Sequence, residues 1–119
     1  MKPYLILKKT NGKGKDFYSG QSQVLTRTMS EMTAYKLKDV MTKAGQSYGL
    51  SPIGEEQYEI AAKTGTAQRG DGSNNAWMVS FAPADNPRYV VVACRLKTDQ
   101  TGKKMGPVIR EIYDWLLRQ

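Results

Sequence analysis

Histidine is absent from the 119-residue chain. Ser-His-Asp and Cys-His catalysis therefore cannot be assembled from these residues alone, and a zinc site loses its commonest nitrogen ligand. Cysteine occurs once, as Cys94. A single thiol cannot close an internal disulfide, and no ligand cluster surrounds it. Its place in a Val-rich run predicts a buried, inert thiol. No apolar run approaches the roughly 20 residues of a membrane span, and no signal-peptide pattern precedes Lys2. Acidic residues are outnumbered, 11 against 18 Lys and Arg, for a net charge of +7. Such an excess is either a solvated basic surface or an attraction toward an anionic partner. The basic residues are scattered and no recognised nucleic-acid motif accompanies them, so nucleic acid is not the expected partner.

What is present fits a soluble globular segment, with 39% hydrophobic and 24% charged residues. The length allows one domain or part of one, with a modest core. The stretch that organises the rest is Ile60-Ala61-Ala62-Lys63-Thr64-Gly65-Thr66-Ala67-Gln68. In a strand, alternate side chains point to opposite faces. Thr64 and Thr66 then share one face, and Lys63 and Gly65 the other. A sheet edge of this kind offers a cation, two hydroxyls and backbone amides to an anionic, peptide-like ligand. Gly65, lacking a side chain, lets another backbone approach closely. This is a binding site in outline, without a nucleophile.

Lys-Thr-Gly alone is a weak signal, most often a turn beside a solvated lysine. Here it is followed by Ala76-Trp77-Met78-Val79-Ser80-Phe81-Ala82-Pro83 and then Asn86-Pro87-Arg88-Tyr89-Val90-Val91-Val92-Ala93. Together these resemble the C-terminal part of the transpeptidase domain of penicillin-binding proteins. That family carries a Lys-Thr-Gly-Thr strand, a strand of the type Ala-Trp-Phe-Val-Gly-Phe-Ala-Pro, a Val-rich strand and a closing helix. The Ala67-Gln68 after the motif is similar to the monofunctional, class B type members that serve division or elongation. Met1-Lys2-Pro3-Tyr4-Leu5 resembles the segment that follows the family's central catalytic helices, so the resemblance covers nearly the whole chain.

The family's chemistry uses Ser-x-x-Lys, Ser-x-Asn and Lys-Thr-Gly. None of the serines here has a lysine three residues on. Ser73-Asn74-Asn75 spells Ser-x-Asn, but it follows Lys63 rather than preceding it and sits beside Gly70, Asp71 and Gly72, as a turn does. The expectation is a single partial domain over 1–119, the C-terminal portion of a transpeptidase domain.

Taken in order, residues 1–29 read as a hairpin appendage. Strand 3–9 turns at Asn11-Gly12-Lys13-Gly14 into a weaker return strand at 16–19, and residues 23–27 form a candidate further pairing. Ser30 suits an N-cap and Glu31 the first turn of a helix from about 31 to 44. Ala34, Leu37, Val40, Met41 and Ala44 recur at helical spacing, with Gly45 as the stop and Lys36, Lys38 and Lys43 in water. Residues 45–56 are a connector. Its adjacent Glu55 and Glu56 point apart on an extended chain and make a poor acid–base pair. Residues 57–119 form the sheet and terminal helix. The motif strand spans 57–68. Arg69 to Asn75 is a turn-rich loop whose Arg-Gly-Asp is a chance match, the second strand spans 76–83, and the third 89–96. The third is apolar on both faces, as in a central strand covered on each side. Pro107 opens a helix whose stripe is Val108, Ile109, Ile112, Trp115 and Leu116.

The fold class is α+β, or α/β in loose terms. It comprises an antiparallel three-stranded meander with a packed C-terminal helix, an N-terminal hairpin and one further helix, part of a serine β-lactamase-like fold. The third strand becomes an apolar edge, to be covered by residues 3–9 or by a second chain.

The resemblance implies a parent D,D-transpeptidase that cross-links peptidoglycan stem peptides through an acyl-enzyme and is acylated by β-lactams. Its site lies on the outer face of the bacterial cytoplasmic membrane. Carried over by motif, Lys63 supplies positive charge beside the reacting hydroxyls, and Thr64 and Thr66 bind the ligand carboxylate. The Thr66 N–H serves as an oxyanion-hole donor, and the strand with Gly65 pairs with the substrate backbone. Trp77 reads as core packing. No cofactor or metal is called for. Lacking the serine, these residues form no acyl-enzyme. A serine β-lactamase piece shares the Lys-Thr-Gly strand but matches the next strand less well. The rival from another class is a non-enzymatic basic module on an anionic polymer, either cell-wall polymer or nucleic acid.

Overall fold

A computed structural model describes residues 2–50, 52 and 57–118. Glu55 and Glu56, read above as a poor acid–base pair, lie outside the described residues. The chain divides into two compact units, residues 1–31 and 32–119.

In the first unit, strands β1 (Lys8–Thr10) and β2 (Asp16–Ser19) pair antiparallel. The expected strand over 3–9 is thus confined to its last residues, and Lys2 makes only an isolated bridge to Gln23. Asn11 shapes the turn. Its carbonyl accepts the Gly14 N–H and its Oδ1 accepts those of Lys13 and Lys15, while Gly14 takes a φ of 75°. An Asx side chain substituting for backbone acceptors is why asparagine suits this place. Both strands are exposed throughout.

Helix α1 (Glu31–Ser47) lies in the second unit but for its first residue, and is followed by strands β3 (Ala61–Gln68), β4 (Asn74–Ala82) and β5 (Tyr89–Thr98), a 3₁₀ turn (Gly102–Met105) and helix α2 (Gly106–Leu117). The strands form an antiparallel meander in the order β3-β4-β5, as the two hairpin signals imply. Helix α1 does not stop at Gly45. It runs through that buried glycine and ends where Gly49, at φ 80°, lets the Leu50 N–H reach the Gly45 carbonyl and the Gly49 N–H reach that of Gln46. Those two bonds are the Schellman arrangement, which a left-handed glycine closes. Gly45 is there for closeness instead: a Cβ on it would lie 2.2 Å from the Ile60 carbonyl oxygen.

One sheet face is covered. Ala62, Met78 and Ala82 join Leu50, Ile60, Ile109 and Tyr113 in the buried core. Each large apolar side chain withdrawn from water contributes roughly 1.5–3 kcal/mol. The α2 stripe is rotated from the expected one. Ile109 and Tyr113 are buried, whereas Val108 and Trp115 are 60% and 64% exposed. Tyr113 supplies the reason for the rotation. It donates its hydroxyl proton to Ser80 Oγ (3.0 Å), Ser80 donates to the Val91 carbonyl (3.2 Å), and the Val91 N–H donates to Tyr113 (3.1 Å). Two buried hydroxyls and the part-buried Val91 N–H and carbonyl are satisfied in one closed ring, so the helix turns its only phenol inward. Burial holds the Tyr113 hydroxyl above the ordinary tyrosine pKa, against the lowering effect of its bonds to Ser80 and Val91.

On the opposite sheet face Ala61 is buried and Phe81 half-buried, but the described apolar side chains beyond them are exposed. Trp77 is 41% exposed, so it is not the core residue expected. Val79, Val90, Val92 and Leu96 are exposed beside it. Cys94, on the same side of β5 as Val90 and Val92, is exposed and not buried. A strand apolar on both sides implies cover on both, yet Val90, Val92 and Cys94 on one side are exposed while Tyr89, Val91 and Ala93 on the other are half-buried. The expected cover from residues 3–9 does not come by strand pairing, since Lys8–Thr10 pairs with Asp16–Ser19 in a sheet of its own. On α1, Leu37 and Val40 are likewise exposed, while Met41 and Ala44 are half-buried. Lys38, expected in water, is partly covered and paired with Asp85, whose hydrogen bond raises its pKa.

Candidate functional site

Strand β3 is an edge of its sheet, bonded to β4 on one side. It is anchored by Ala61 and Ala62, both fully buried, and emerges into solvent from Lys63 onward, with only Thr64 half-covered. Small residues at the root and polar ones at the tip are what this requires. The register pairs Lys63 with Val79, Thr64 with Met78, Gly65 with Trp77 and Thr66 with Ala76. Lys63 and Gly65 consequently lie on the bare face with Val79 and Trp77. Thr64 and Thr66 lie on the other, as the alternation predicted.

The four side chains are not equivalent. Lys63 Nζ donates to the Thr64 carbonyl at 2.7 Å. Thr64 Oγ1 donates to the Tyr48 hydroxyl at 3.4 Å, a long and weak bond. Thr66 is exposed. Gly65 has no positive φ, and a Cβ there would meet only Trp77 Cβ, at 3.6 Å. Among the described residues nothing needs a glycine at this place, and its open surface suits an incoming backbone. Gly65→Ala is therefore expected to leave thermal stability within about 1 kcal/mol of wild type, since alanine costs less strand entropy than glycine. The same methyl would obstruct any strand laid against β3. A melt combined with a peptide titration separates the two effects.

Two contributors escaped the sequence reading. Gly102 sits where a Cβ would lie 2.1 Å from the Trp77 carbonyl oxygen and 3.2 Å from Thr64 Cβ. Tyr48 caps α1. Neither carries a motif, and only tertiary contact reveals them. The loop after the motif strand is held by Asp71, which accepts the Ser73 N–H (3.1 Å) and Oγ–H (2.6 Å). Those bonds, with Arg69 nearby, lower the Asp71 pKa. The Ser-x-Asn reading thus falls on a turn residue and the start of β4. Among the described residues no group of three or more Cys, Asp and Glu could hold a metal ion. No described helix is long and apolar enough to cross a membrane.

Comparison with known proteins decides the family. The sequence model described as the penicillin binding protein transpeptidase domain matches residues 1–114. This chain belongs to that family. Penicillin-binding protein PbpB of Mycolicibacterium smegmatis is 32% identical over 113 residues, covering 78% of this chain and 17% of the relative. The peptidoglycan D,D-transpeptidase PbpA of Mycobacterium tuberculosis is 34% identical over 101 residues, covering 76% of this chain and 19% of the relative. Among solved structures, the imipenem acyl-enzyme complex of penicillin-binding protein A from M. tuberculosis superposes with a TM-score of 0.78 at 25% identity. The match covers 97% of this chain and 26% of that one. The D,D-transpeptidase domain of a peptidoglycan glycosyltransferase from Eggerthella lenta gives 0.73 at 26% identity, covering 97% and 28%. This chain thus spans only 17–28% of the length of these relatives, and its mixed α/β architecture is shared with the solved transpeptidase domains.

Proposed function

We propose that this chain contributes the Lys-Thr-Gly-Thr edge of a peptidoglycan D,D-transpeptidase pocket whose serine lies outside the given sequence. The carrying observation is the placement of Lys63, Thr64, Gly65 and Thr66 on an exposed edge strand rooted in the core. The ligand is a stem peptide ending in a carboxylate, or a β-lactam that mimics it. Its backbone pairs with β3, its carboxylate accepts from a threonine hydroxyl near the Lys63 charge, and the Thr66 N–H faces the developing oxyanion. The work is done at the outer face of the cytoplasmic membrane, in division or elongation. Acyl transfer needs a nucleophile, and no Ser-x-x-Lys occurs among the 119 residues.

The chain alone is expected to take up no label from a fluorescent penicillin, by denaturing gel and intact mass. A covalent adduct on any Ser or Lys of this chain would overturn that reading. The alternative, a basic module on anionic polymer, predicts duplex DNA binding that weakens steeply with salt. A flat titration at low salt removes it. The outer β5 edge, unpaired among the described residues, and the exposed apolar side chains beside it also suit pairing of two copies, which sedimentation velocity across a concentration series would register as a dimer.

A further inference from the structure

The end of the sheet at the β3–β4 turn carries an open cleft of about 720 Å³, between the turn at 71–73 and residues 95–99. Both walls are tied down. On one, Gly72 sits at φ 80°, and the Asp71 carboxylate accepts from the Ser73 N–H and Oγ–H and pairs with Arg69. On the other, β5 bulges. Asn74 faces Thr98 and Ala76 faces Arg95, so Asn75 stands against both Leu96 and Lys97. Lys97 takes a φ of 50°, and its N–H donates to Asn75 Oδ1 at 3.3 Å. A left-handed backbone is costly for a side chain and easy for glycine. Beyond the bulge, Thr98 is buried and its Oγ1 accepts the Gln100 N–H at 3.1 Å. Gln100 Oε1 in turn accepts from the Arg95 guanidinium at 2.8 Å.

We infer that this cleft is a binding site for an oxyanion, a phosphate or carboxylate group, with Arg95 as its clamp and Lys97 as its second charge. The charges favour an anion. The Asp71 carboxylate is already satisfied by Ser73 and Arg69. Asp99 is the other carboxylate at the cleft, and it faces two cations, Arg95 and Lys97. Among the described residues neither of these cations forms an ion pair. Arg95 is fixed instead by a neutral amide. It keeps its full charge, and most of its five N–H donors stay available in the planar fork that grips an oxyanion with two bonds. The same assignment accounts for the bulge. Bulges re-aim side chains beside active sites, and strained residues cluster at functional sites. Glycine would fit the left-handed position more easily, yet a lysine stands there and adds positive charge. The cleft shares no residue with Lys63, Thr64, Gly65 or Thr66, so it stands or falls apart from the proposed pocket.

The test is a nuclear magnetic resonance titration of the whole ¹⁵N-labelled chain with inorganic phosphate and, separately, with acetate. Ionic strength is held constant with chloride. Saturable amide shifts confined to 71–73 and 95–100 are expected with at least one anion. Saturation by phosphate alone assigns a phosphate ester as the ligand group, by acetate alone a peptide carboxylate, and by both an oxyanion of either kind. Arg95→Gln should weaken the saturating anion by roughly tenfold, the scale of one hydrogen bond to a charged group. Lys97→Gly should weaken it by roughly two- to fivefold, the scale of an exposed charge. It should nevertheless melt no lower than wild type, because the strained φ is relieved. Lys36→Gln, on an exposed position of α1, is the charge control and should leave binding unchanged. Shifts that fail to saturate with either anion, or equal weakening in Lys36→Gln and Arg95→Gln, would overturn the inference. A Lys97→Gly protein that binds as tightly as wild type would also overturn it.

Discussion

Gly45→Ala is expected to destabilise the second unit by roughly 2 kcal/mol or more, although the substitution lies inside a helix. Helix propensity alone points the other way, since alanine is favoured over glycine by about 1 kcal/mol in a helix interior. The added methyl, however, would lie 2.2 Å from the Ile60 carbonyl oxygen, a backbone atom that no rotamer change can move aside. Overpacking a filled interior typically costs about 1–3 kcal/mol, and more where backbone must shift. The steric effect wins because Ile60 is 1% exposed and leads directly into the buried Ala61 and Ala62 at the root of β3. Thermal denaturation should show a melting temperature lower by ~10 °C, using the usual conversion for a domain of this size. Gly70→Ala is the matched control, because nothing lies within 4 Å of the atom it adds. A Gly45→Ala protein that melts higher than wild type would mean that α1 does not approach Ile60 this closely.

Tyr113→Phe is the second large effect. Ser80 could still donate to the Val91 carbonyl, but the Val91 N–H would lose its tyrosine acceptor and Ser80 its donor. Leaving a buried donor unmade costs about 1–3 kcal/mol, and the substitution leaves the ring packing intact. The same tyrosine sets a pH dependence. Its folded-state pKa is raised by burial. The folded protein thus holds this proton more tightly than the unfolded chain, and the associated stability is fully present below the unfolded value near 10. It is lost as pH rises through the folded pKa. Chemical denaturation at pH 8 and pH 11 should show a smaller alkaline loss in Tyr113→Phe than in wild type. Equal losses in both proteins would exclude Tyr113 as the source.

The parts of the fold legible in the sequence were those written locally. Alternation in Ala76 to Pro83, the Pro and Gly punctuation around it and the Lys-Thr-Gly-Thr strand gave the meander and its edge. The Asn11 turn was also legible, because its determinant is the side chain of one residue. What could not be read was which face of each element is covered. Trp77, Val79 and Phe81 are the bulky side of β4, yet it is Met78, Ser80 and the small Ala76 and Ala82 that are buried. A strand records two faces without naming the one its neighbours choose. Gly45 illustrates a related ambiguity. Glycine ends helices and also admits close neighbours, and the choice depended on Ile60, fifteen positions away. At the site, Thr64 and Thr66 carry the same hydroxyl at equivalent spacing. Only Tyr48 and Gly102, joined to them through tertiary structure, make one of them inward and weakly bonded.

The uncovered sheet face carries a consequence for how copies of this chain behave together in solution. Trp77, Val79, Val90, Val92 and Leu96 form an adhesive surface on a molecule of net charge +7. Mutual repulsion keeps such molecules dispersed while the ionic atmosphere is thin, and added electrolyte shortens its reach to about 8 Å near 0.15 M. Colloidal stability should therefore decline as electrolyte is added, with the bare apolar surface setting the short-range attraction and the lysine excess setting the threshold.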